Sequence, residues 1–462
     1  MKIAVISPEV APFSKSGGLG EVAGALPVHL AKAADVVVIT PKYRGLKAHP
    51  SSIVVDVPLR DRIVRVGFET ALLPGSNVPV YFVADDCFDR DGYYGDAAGD
   101  YPDNCERFVL FTRAALELLH ALRFAPDIVH VHDWQAALAP AYLKTLFAGR
   151  FPRTKSVLTI HNLSYQGLFW HWDMPLTGLD WALFNQRQLE FWGQLSFLKG
   201  GIVFADAVTT VSPTYAIEIR TREQGCGLEG VLDDRRAALH GILNGIDVDT
   251  WNPATDALLP DRYSPAAMAG KSRNKAALRR RLGLRETDGP LFAFIGRIVE
   301  QKGIQLLLQA LPSIASIGQV AILGAGDVEL GRSLKETAAL APGRVSVTLG
   351  FDEALAHEFQ GGADFLLMPS IYEPCGLSQM HAMRYGTIPI VRRTGGLADT
   401  VRDGDTGIVF EEATAEALIE AVRRATSMSP PATAAMRAAG MAMDFSWAVS
   451  AKKVLDLFRT LI

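Results

Sequence analysis

Segments rich in glycine and positive charge follow two apolar runs of this sequence. Lys-Ser-Gly-Gly-Leu-Gly (15–20) comes after the apolar residues 3–6, while Gly-Arg (296–297) and Lys-Gly (302–303) come after residues 291–295. Glycine lets the backbone approach an anion closely, a helix N-terminus supplies N–H donors, and Arg and Lys supply positive charge. Both segments therefore predict binding of a phosphate-bearing ligand. The alternatives are a flexible turn in the first and solvated charges in the second.

A carboxylate and a second glycine pair follow two further strand-like runs. These segments are Glu-Pro-Cys-Gly-Leu (373–377) and Thr-Gly-Gly-Leu (394–397). Pro374 suits a first helical turn, so we expect a helix to begin here with Glu373 near its N-cap, where a carboxylate stabilises the helix dipole. The functional alternative is a carboxylate directed into a ligand cleft. The glycine pair predicts a second turn that can hold an anion.

Histidines with polar neighbours end two more predicted strands. His-Asp-Trp (132–134) follows the apolar residues 128–131, and His-Asn (161–162) follows residues 157–160. A single histidine at a strand end is more often structural. Two polar clusters at adjacent strand ends make a functional role more plausible, because ligands of open parallel sheets bind beyond the carboxyl ends of the strands. The pattern leaves a structural and a functional role open.

Other segments resemble known motifs but do not fit their chemistry. Gly-Lys-Ser (270–272) has no preceding strand, and Pro265 occupies the first glycine position of a phosphate-binding loop. The acid that a nicotinamide dinucleotide site requires after the second strand is replaced by Thr-Pro-Lys (40–42). Asp247 and Asp249 could hold a metal ion, but the glycine and proline near them favour a turn.

The elements that position these segments alternate between strands and helices. Short apolar runs separated by helix-like stretches extend to about residue 240, and the pattern begins again near residue 290. Residues 53–83 differ, since their period-two pattern, broken by prolines, predicts antiparallel hairpins. Alternation of strands and helices gives parallel sheets covered by helices. The sequence therefore predicts an α/β protein with two doubly wound domains.

Composition and charge exclude several classes of protein. The 462 residues are 49% hydrophobic and 21% charged, which excludes a disordered or fibrous chain. The net charge is −4, from 46 basic and 50 acidic side chains, so we expect neither a nucleic-acid nor a membrane partner. The four scattered cysteines predict no disulfide framework and no structural zinc site. The apolar runs are too short for a signal peptide or a transmembrane helix, so we expect a cytoplasmic protein.

Taken together, the motifs resemble those of the bacterial glycogen synthases and the related starch synthases. Each string alone is weakly specific, whereas the ordered set, and above all its last two members, is highly specific. The strings follow the family's order over nearly the whole chain: Lys-Ser-Gly-Gly-Leu (15–19), His-Asp-Trp (132–134), Thr-Ile-His-Asn-Leu (159–163), Asn-Gly-Ile-Asp (244–247), Gly-Arg (296–297), Gln-Lys-Gly (301–303), Glu-Pro-Cys-Gly-Leu-Ser-Gln (373–379) and Arg-Arg-Thr-Gly-Gly-Leu-Ala-Asp-Thr-Val (392–401).

This resemblance implies a GT-B glycosyltransferase, in which two Rossmann-like domains face each other across a deep cleft. It implies domains at residues 1–243 and 244–445, and a C-terminal helix within residues 446–462 that crosses back to the N-terminal domain. The implied reaction transfers glucose from ADP-glucose to the non-reducing 4-hydroxyl of an α-1,4-glucan such as glycogen, with retention at the anomeric carbon. Neither a metal ion nor another cofactor is expected.

The resemblance also implies roles for individual residues. Cations bind the diphosphate, a carboxylate lies near the glucose, and glycine amides contact the donor. The residues expected to take part in catalysis are Glu373, His161, Arg297 and Lys302. Those expected to bind substrate are Lys15, Gly17, Gly18, Asp133, Asn162, Asn244, Cys375, Gly376, Leu377, Thr394, Gly395 and Gly396.

The sequence favours one chemical route. A retaining hydrolase uses two carboxylates about 5 Å apart, and many retaining GT-B enzymes carry Glu-x7-Glu, but position 381 is His and Glu373 has no evident partner. We therefore expect front-face displacement, in which the departing phosphate helps the acceptor hydroxyl to lose its proton. A UDP-glucose donor, another acceptor and an inactive glucan-binding protein are the alternatives. The role of His381 is left open.

Overall fold

The computed structural model describes residues 1–96 and 98–462. These residues form two compact units, each assembled from separate stretches of the chain. The first unit contains Met1–Val211, Ala216–Gly245 and Trp447–Ile462, and the second contains Ser212–Tyr215 and Ile246–Ser446. Helix α7, Pro213–Glu218, contributes residues to both.

The first unit is a mixed α/β structure. Its strands are β1 Lys2–Ile6, β2 Asp35–Pro41, β3 His49–Leu59, β4 Arg62–Leu72, β5 Pro79–Ala84, β6 Gly95–Asp96, β7 Gly99–Asp100, β8 Ile128–His132, β9 Lys155–Ile160, β10 Leu168–Trp170, β11 Glu190–Phe191, β12 Gln194–Ser196, β13 Ala207–Thr210 and β14 Leu239–Gly241. Its helices are α1 Gly18–Leu30, α2 Asn104–Ala121, α3 Asp133–Ala136, α4 Ala139–Lys144, α5 Met174–Thr177, α6 Phe197–Phe204, α8 Glu229–Asp234 and the C-terminal α17 Trp447–Leu461.

The second unit alternates strands with helices throughout. Its strands are β15 Leu291–Ile295, β16 Gln319–Gly324, β17 Val345–Leu349, β18 Phe365–Met368, β19 Ile388–Arg392 and β20 Ile408–Phe410. Its helices are α9 Ala269–Arg281, α10 Ile304–Ile317, α11 Val328–Ala339, α12 Glu353–Gly362, α13 Ser378–Arg384, α14 Gly395–Thr400, α15 Ala415–Thr426 and α16 Pro430–Met441. Single 3-10 turns cover Asp86–Phe88, His171–Asp173, Trp181–Leu183, Arg236–Ala238 and Glu300–Lys302.

A nine-stranded sheet in the order β14-β13-β9-β8-β1-β2-β5-β4-β3 forms the centre of the first unit, as far as the chain is described. Strands β1, β2, β5, β8, β9, β13 and β14 run parallel, while β3 and β4 extend one edge as an antiparallel hairpin. The hairpins predicted for residues 53–83 are therefore present. Helix α17 packs Trp447, Val454 and Phe458 into the same apolar cluster as Val22 and Leu26 of α1.

Six parallel strands in the order β17-β16-β15-β18-β19-β20 make up the sheet of the second unit. Its strands are buried on both faces, except for the edge strand β17, which is partly exposed. Strand β15 is an example of this burial. Phe292 and Phe294 contribute to one apolar cluster, while Leu291 and Ala293 contribute to another. Burial on both faces is why these strands are uninterrupted apolar runs in the sequence.

The strand order reverses beside β1 in the first sheet and beside β15 in the second, and these reversals position the polar segments. In the first unit β1 lies between β2 and β8, and in the second β15 lies between β16 and β18. Loops leave the neighbouring strands on opposite sides of the sheet at such a point, which creates a ligand crevice at their carboxyl ends. The loops concerned carry Lys15 and Asp133 in the first unit, and Arg297, Lys302 and Glu373 in the second.

One local prediction is wrong. The helix expected to begin at Pro374 begins at Ser378 instead, with Leu377 at its N-cap, so Glu373 lies in a loop and not at a helix terminus. Gly376 adopts a left-handed φ of +72°. A helix cannot run through such a residue, which delays the helix beyond the Glu373–Leu377 loop.

The described helices are all too short or too polar to cross a membrane.

The packing of α17 gives a test of the first unit. Phe458 is 1% exposed, and truncating it to Ala should lower the free energy of unfolding by about 3–5 kcal/mol through lost burial and a new cavity. Urea unfolding followed by tryptophan fluorescence measures this, since every tryptophan except Trp251 belongs to the first unit. Arg459→Ala, one residue further along the same helix and largely exposed, is the matched control and should change stability by less than about 0.5 kcal/mol.

Candidate active site

An ion pair between Lys302 and Glu373 lies at the point of strand reversal in the second unit. Lys302 Nζ is 2.5 Å from Glu373 Oε2, and the two side chains are 18% and 5% exposed. Ser370 Oγ donates a hydrogen bond to the same carboxylate oxygen at 3.1 Å. A buried carboxylate without partners is costly, so the ammonium and the hydroxyl allow Glu373 to remain charged inside the protein.

Gln301 joins the loop of Lys302 to the loop of Glu373. Its side-chain Oε1 accepts a hydrogen bond from Arg297 Nη2 at 2.8 Å, and its carbonyl accepts one from the Ile371 N–H at 2.8 Å. The next glycine, Gly303, has a φ of +69°, and a Cβ there would lie 1.9 Å from the Pro369 carbonyl oxygen. Only glycine fits this approach. The structure thus brings the loops that carry Arg297, Lys302 and Glu373 together.

The glycine pair at 395–396 packs against the Glu373 loop. A Cβ on Gly395 would lie 1.9 Å from the Glu373 carbonyl oxygen, and one on Gly396 would lie 2.0 Å from the Cys375 carbonyl oxygen. The Gly396 N–H donates to the Glu373 carbonyl at 3.0 Å. Thr394, which is buried, precedes them as the N-cap of α14. The Gly396 amide is therefore engaged within the protein, whereas the sequence suggested a contact with the ligand.

Gln379 fixes the loop that follows Glu373. Its Nε2 donates to the carbonyls of Cys375 and Gly376 at 3.1 and 2.9 Å. Within the described part of the chain, the N–H groups of Gly376 and Leu377 donate to no protein acceptor, and both residues are partly exposed. These two amides can donate to a ligand anion next to Glu373.

Buried Glu9 holds the Lys15 loop of the first unit. Ser16 donates to its two oxygens, through N–H at 2.5 Å and through Oγ at 2.6 Å. Lys15 itself is exposed, with Nζ 2.5 Å from Glu21 Oε1. Because Glu9 takes the Ser16 amide, this loop offers an anion the Lys15 ammonium and the N–H groups of Gly17 and Gly18, at the start of α1.

Three histidines form a chain behind the carboxyl ends of β8 and β9. His161 Nε2 lies 2.9 Å from His132 Nδ1, the His132 and His130 rings are 4.3 Å apart, and His130 Nε2 lies 2.6 Å from Thr159 Oγ1. Asp133, with a φ of +54°, accepts the His161 N–H through Oδ1 at 2.7 Å. The two polar clusters of the sequence therefore meet, with Asp133 fixing the backbone of His161.

A cavity of about 30 Å³ lies between these histidines and α17. Its walls include His130, His132, Asn244 and Phe458. Among the described residues, the buried His130 Nδ1 and His132 Nε2 atoms have no hydrogen-bond partner. A cavity of this size accommodates a water that can satisfy both nitrogens. Asn244, expected in the second domain, belongs to the first unit and lines this cavity.

Burial determines the protonation states of the three histidines and of Asp133. It lowers the pKa of His130 and of His161 to about 3, and that of His132 well below its ordinary value, so all three are neutral at neutral pH. Burial raises the pKa of Asp133 to about 7, against hydrogen bonds from the N–H groups of His161 and Asn162. A neutral imidazole donates through one nitrogen and accepts through the other. His161 can therefore hydrogen-bond a sugar hydroxyl without adding charge.

Asp247 of the candidate metal site and Lys271 of the segment that resembles a phosphate-binding loop both have structural roles. Asp247 Oδ1 accepts the N–H groups of Asp249 and Thr250 at 3.0 Å each, which is the turn that the sequence favoured. Lys271 is buried, and its Nζ donates to Thr387 Oγ1 at 2.7 Å. No group of three or more metal-ligating side chains is present among the residues that the structure describes.

Sequence reasoning missed three residues that hold this site. Glu9 gives a weak signal, an acid in an otherwise apolar stretch after β1. Gln379 ends the Glu-Pro-Cys-Gly-Leu-Ser-Gln string but received no role. Ser212 gives no signal in the sequence, because the group it contacts lies 162 positions further along the chain. Its Oγ donates a hydrogen bond to the Pro374 carbonyl at 2.6 Å.

Comparison with known proteins identifies the family. Residues 2–234 match the family model described as starch synthase catalytic domain, and residues 275–441 match glycosyl transferases group 1. A glycogen synthase from Anaeromyxobacter sp. (strain Fw109-5) is 48% identical over 476 residues, covering 100% of this chain and 99% of that protein. The chain belongs to the glycogen and starch synthase family.

Two further relatives agree with membership of the glycogen and starch synthase family. A glycogen synthase from Myxococcus xanthus (strain DK1622) is 45% identical, with 100% of both chains covered. The structure of the catalytic domain of starch synthase IV from Arabidopsis thaliana, bound to ADP and acarbose, superposes with a TM-score of 0.91 at 35% identity, covering 99% of both chains. The predicted two-domain GT-B class of fold and the assignment as a glycosyltransferase are confirmed.

Acidification should destabilise the first unit through its neutral histidines. The pKa of His130 is about 3 in the folded protein and about 6.5 in an unfolded chain. The unfolded chain therefore binds the proton first, and the stabilisation, fully present above pH 6.5, is lost as the pH falls. Between pH 7 and pH 5 the loss for His130 is about 2 kcal/mol.

The variant His130→Gln isolates this effect. Asp133, whose pKa is raised, acts in the opposite direction, because its protonation on acidification favours the folded state. Asp133 is present in both proteins, so the difference in urea stability between the chain and the variant should shrink by about 2 kcal/mol from pH 7 to pH 5. A difference that stays constant over this range would contradict the assignment.

Proposed function

We propose that this member of the family transfers glucose from ADP-glucose to the non-reducing 4-hydroxyl of an α-1,4-glucan, with retention at the anomeric carbon and without a metal ion. The observation that carries the proposal is the buried Lys302–Glu373 pair, 2.5 Å apart, at the strand reversal of the second unit. Arg297 and the amides of Gly376 and Leu377 lie on the loops joined there.

The leaving group of this reaction is a nucleoside diphosphate, so negative charge grows on phosphate oxygens in the transition state. Arg297 offers bidentate donors and Lys302 a point charge to these oxygens. The N–H groups of Gly376 and Leu377 add preorganised dipoles. Donors of this kind are worth roughly 2.7–4 kcal/mol each when they are aimed at developing charge, which is why we assign a metal-independent reaction. By the family resemblance we assign Lys15, Gly17 and Gly18 to the same diphosphate.

The family resemblance implies retention, and the surroundings of Glu373 favour one chemical route to it. Its carboxylate contacts a lysine and a serine hydroxyl, so we do not assign it to a two-carboxylate mechanism. We propose that the bond from the anomeric carbon to the phosphate oxygen breaks while the acceptor O4 bonds on the same face. The acceptor proton passes to the departing phosphate oxygen. The Glu373 carboxylate stabilises the oxocarbenium-like sugar electrostatically. By the family resemblance we assign the binding of glucose hydroxyls to neutral His161, to Asn162 and to Asn244.

An aromatic side chain that the sequence analysis did not single out suits the nucleoside. Phe351 is 82% exposed, just beyond the end of β17. The Gly350 N–H before it donates to the Gly324 carbonyl at the end of β16 at 2.8 Å. An exposed ring at the carboxyl edge of a parallel sheet can stack on a base. The relative from Arabidopsis thaliana was solved with ADP, so we assign adenine to this ring.

The first test of this function is incorporation of labelled glucose into glycogen, with ADP-glucose and UDP-glucose offered separately, each with and without EDTA. We expect polymer growth from ADP-glucose that EDTA does not change, and α-linked product by NMR. Growth from UDP-glucose alone would replace the donor assignment. Loss of activity in EDTA would contradict metal independence, and no growth from either donor would contradict the function.

Glu373→Gln tests the catalytic carboxylate at nearly constant volume. We expect kcat to fall at least about 100-fold, since a group that stabilises transition-state charge contributes roughly this much or more, with a small change in the KM for ADP-glucose. Glu411→Gln is the matched control, because Glu411 is exposed and pairs with Arg393. A Glu373→Gln protein that unfolds like the parent but keeps near-normal kcat would contradict the role.

A further inference from the structure

An aromatic surface on the first unit has no part in the site described above. Trp170, Trp172, Trp181 and Trp192 are 63%, 54%, 44% and 83% exposed. The whole chain has 7 tryptophans, so most of them lie in this short stretch and face solvent. Large exposed apolar patches mark binding surfaces in otherwise ordinary globular proteins. We call these four residues with Phe184 the tryptophan surface.

Edge-to-face contacts join most of the tryptophan surface into one cluster. The ring centroids of Trp170 and Trp172 are 6.4 Å apart, those of Trp172 and Trp181 5.7 Å, and those of Trp181 and Phe184 5.6 Å. The interplanar angles are 68°, 71° and 77°. Each ring thus holds its neighbour by an edge and leaves part of its own face to solvent.

The surface is anchored to the interior through β10. Leu168 and Trp170 are exposed on one side of this strand, while Phe169 on the other side packs 4.7 Å from Phe197 and 5.7 Å from Trp134 between ring centroids. Trp134 directly follows Asp133. The tryptophan surface therefore stands on a rigid support next to the residues that hold His161.

Trp192 occupies a backbone position that does not suit it. It forms the two-residue turn between β11 and β12 with Gly193, and their φ angles are +51° and +79°. Such turns favour Asn or Gly, because a bulky side chain is strained at positive φ. Since Trp192 is 83% exposed, packing offers little compensation. A strained and exposed aromatic residue points to a role outside folding. His171 Nδ1, 3.2 Å from the Gly193 carbonyl, links this turn to the cluster.

The charges around the tryptophan surface are balanced, so they favour neither a strongly anionic nor a strongly cationic ligand. Residues 168–194 contain Asp173, Asp180 and Glu190 against Arg187. Two cations from outside the segment complete the balance, since Arg60 lies near Asp173 and the buried Lys199 donates to the Glu190 carbonyl. A neutral ligand with apolar faces and hydroxyl edges fits better. The sugar rings of an α-1,4-glucan have this character, since their C–H faces stack on indole and their hydroxyls reach the polar side chains around it.

We propose that the tryptophan surface binds a segment of the α-1,4-glucan acceptor away from the group-transfer step. The inference rests on the proposed function for the identity of the polymer. A second contact of this kind raises the effective concentration of a long acceptor at the enzyme. It contributes to the affinity for glycogen, and it contributes nothing for an acceptor too short to reach it.

Binding of β-cyclodextrin to the full chain tests the surface directly. This closed ring of α-1,4-linked glucose has no non-reducing end, so it cannot accept glucose. We expect Trp172→Ala and Trp181→Ala each to raise its Kd in calorimetry about tenfold, the effect of a lost aromatic stack, and Trp172→Phe to restore part of the affinity. Ile63→Ala, a control at a 68% exposed apolar residue of β4, should leave the Kd unchanged.

Trp192→Asn separates binding from folding. Asn suits the turn, so the variant should unfold at higher urea than the parent while it binds β-cyclodextrin more weakly. A residue kept only for structure would not give these opposite signs. If stability rises and the Kd is unchanged, Trp192 is not part of the binding surface.

Kinetics complete the test. In Trp172→Ala we expect the KM for glycogen to rise about tenfold, with kcat and the KM values for ADP-glucose and maltotriose unchanged. An equal rise for maltotriose would place the tryptophan at the acceptor end and overturn the proposal, as would an unchanged β-cyclodextrin Kd.

A dimer in sedimentation that the variants dissociate would instead assign the surface to a second copy of the chain. Absence of transfer in the parent would contradict the proposed function, while the cyclodextrin measurement would still decide on the surface.

Discussion

The buried contact between the Lys302 ammonium and the Glu373 carboxylate is the interaction on which the second unit's site depends. An unpaired charge at this depth would be expelled or neutralised, so both loops must hold their geometry for the pair to exist. Gln301, Gly303 and the pair at 395–396 provide that geometry through backbone contacts. The identities of Gln301, Gly303, Gly395 and Gly396 are thus explained by the need to hold the buried Glu373 carboxylate beside the Lys302 ammonium.

The first unit also buries a carboxylate, Glu9, but its hydrogen-bond donors are neutral groups. Glu9 is buried and satisfied by donors from Ser16 and Tyr94, whereas the three histidines are kept uncharged by burial. Uncharged donors suit a sugar, which offers hydroxyls and no formal charge. This matches the chemistry proposed, in which cations bind the phosphates, neutral side chains bind the glucose hydroxyls, and the Glu373 carboxylate stabilises the charge that develops on the sugar.

Much of the fold could be predicted from the sequence, because strands buried on both faces are unbroken apolar runs and polar motifs cluster where those strands end. The loops of Arg297, Lys302 and Glu373 were grouped on this basis, and they do meet. Prediction failed where geometry depends on distant or subtle features. The left-handed Gly376 moved a helix start by several residues, and the contact from Ser212 to Pro374 spans 162 positions. The sequence predicts a ligand role for the Gly395-Gly396 pair, and the structure adds a second demand for glycine at these positions, the close approach of the Glu373 loop.

The chain order of the two units has a consequence for synthesis. The first unit contains Met1–Val211, yet its apolar cluster includes residues of α17, which is made only after the whole of the second unit. Val22 and Leu26 of α1 therefore have no partner helix until the ribosome has finished the second unit. Exposed apolar surface of this kind is where nascent chains associate wrongly. The order of the segments means that the first unit is completed only after the second, and its early part lacks α17 for as long as the second unit is being made.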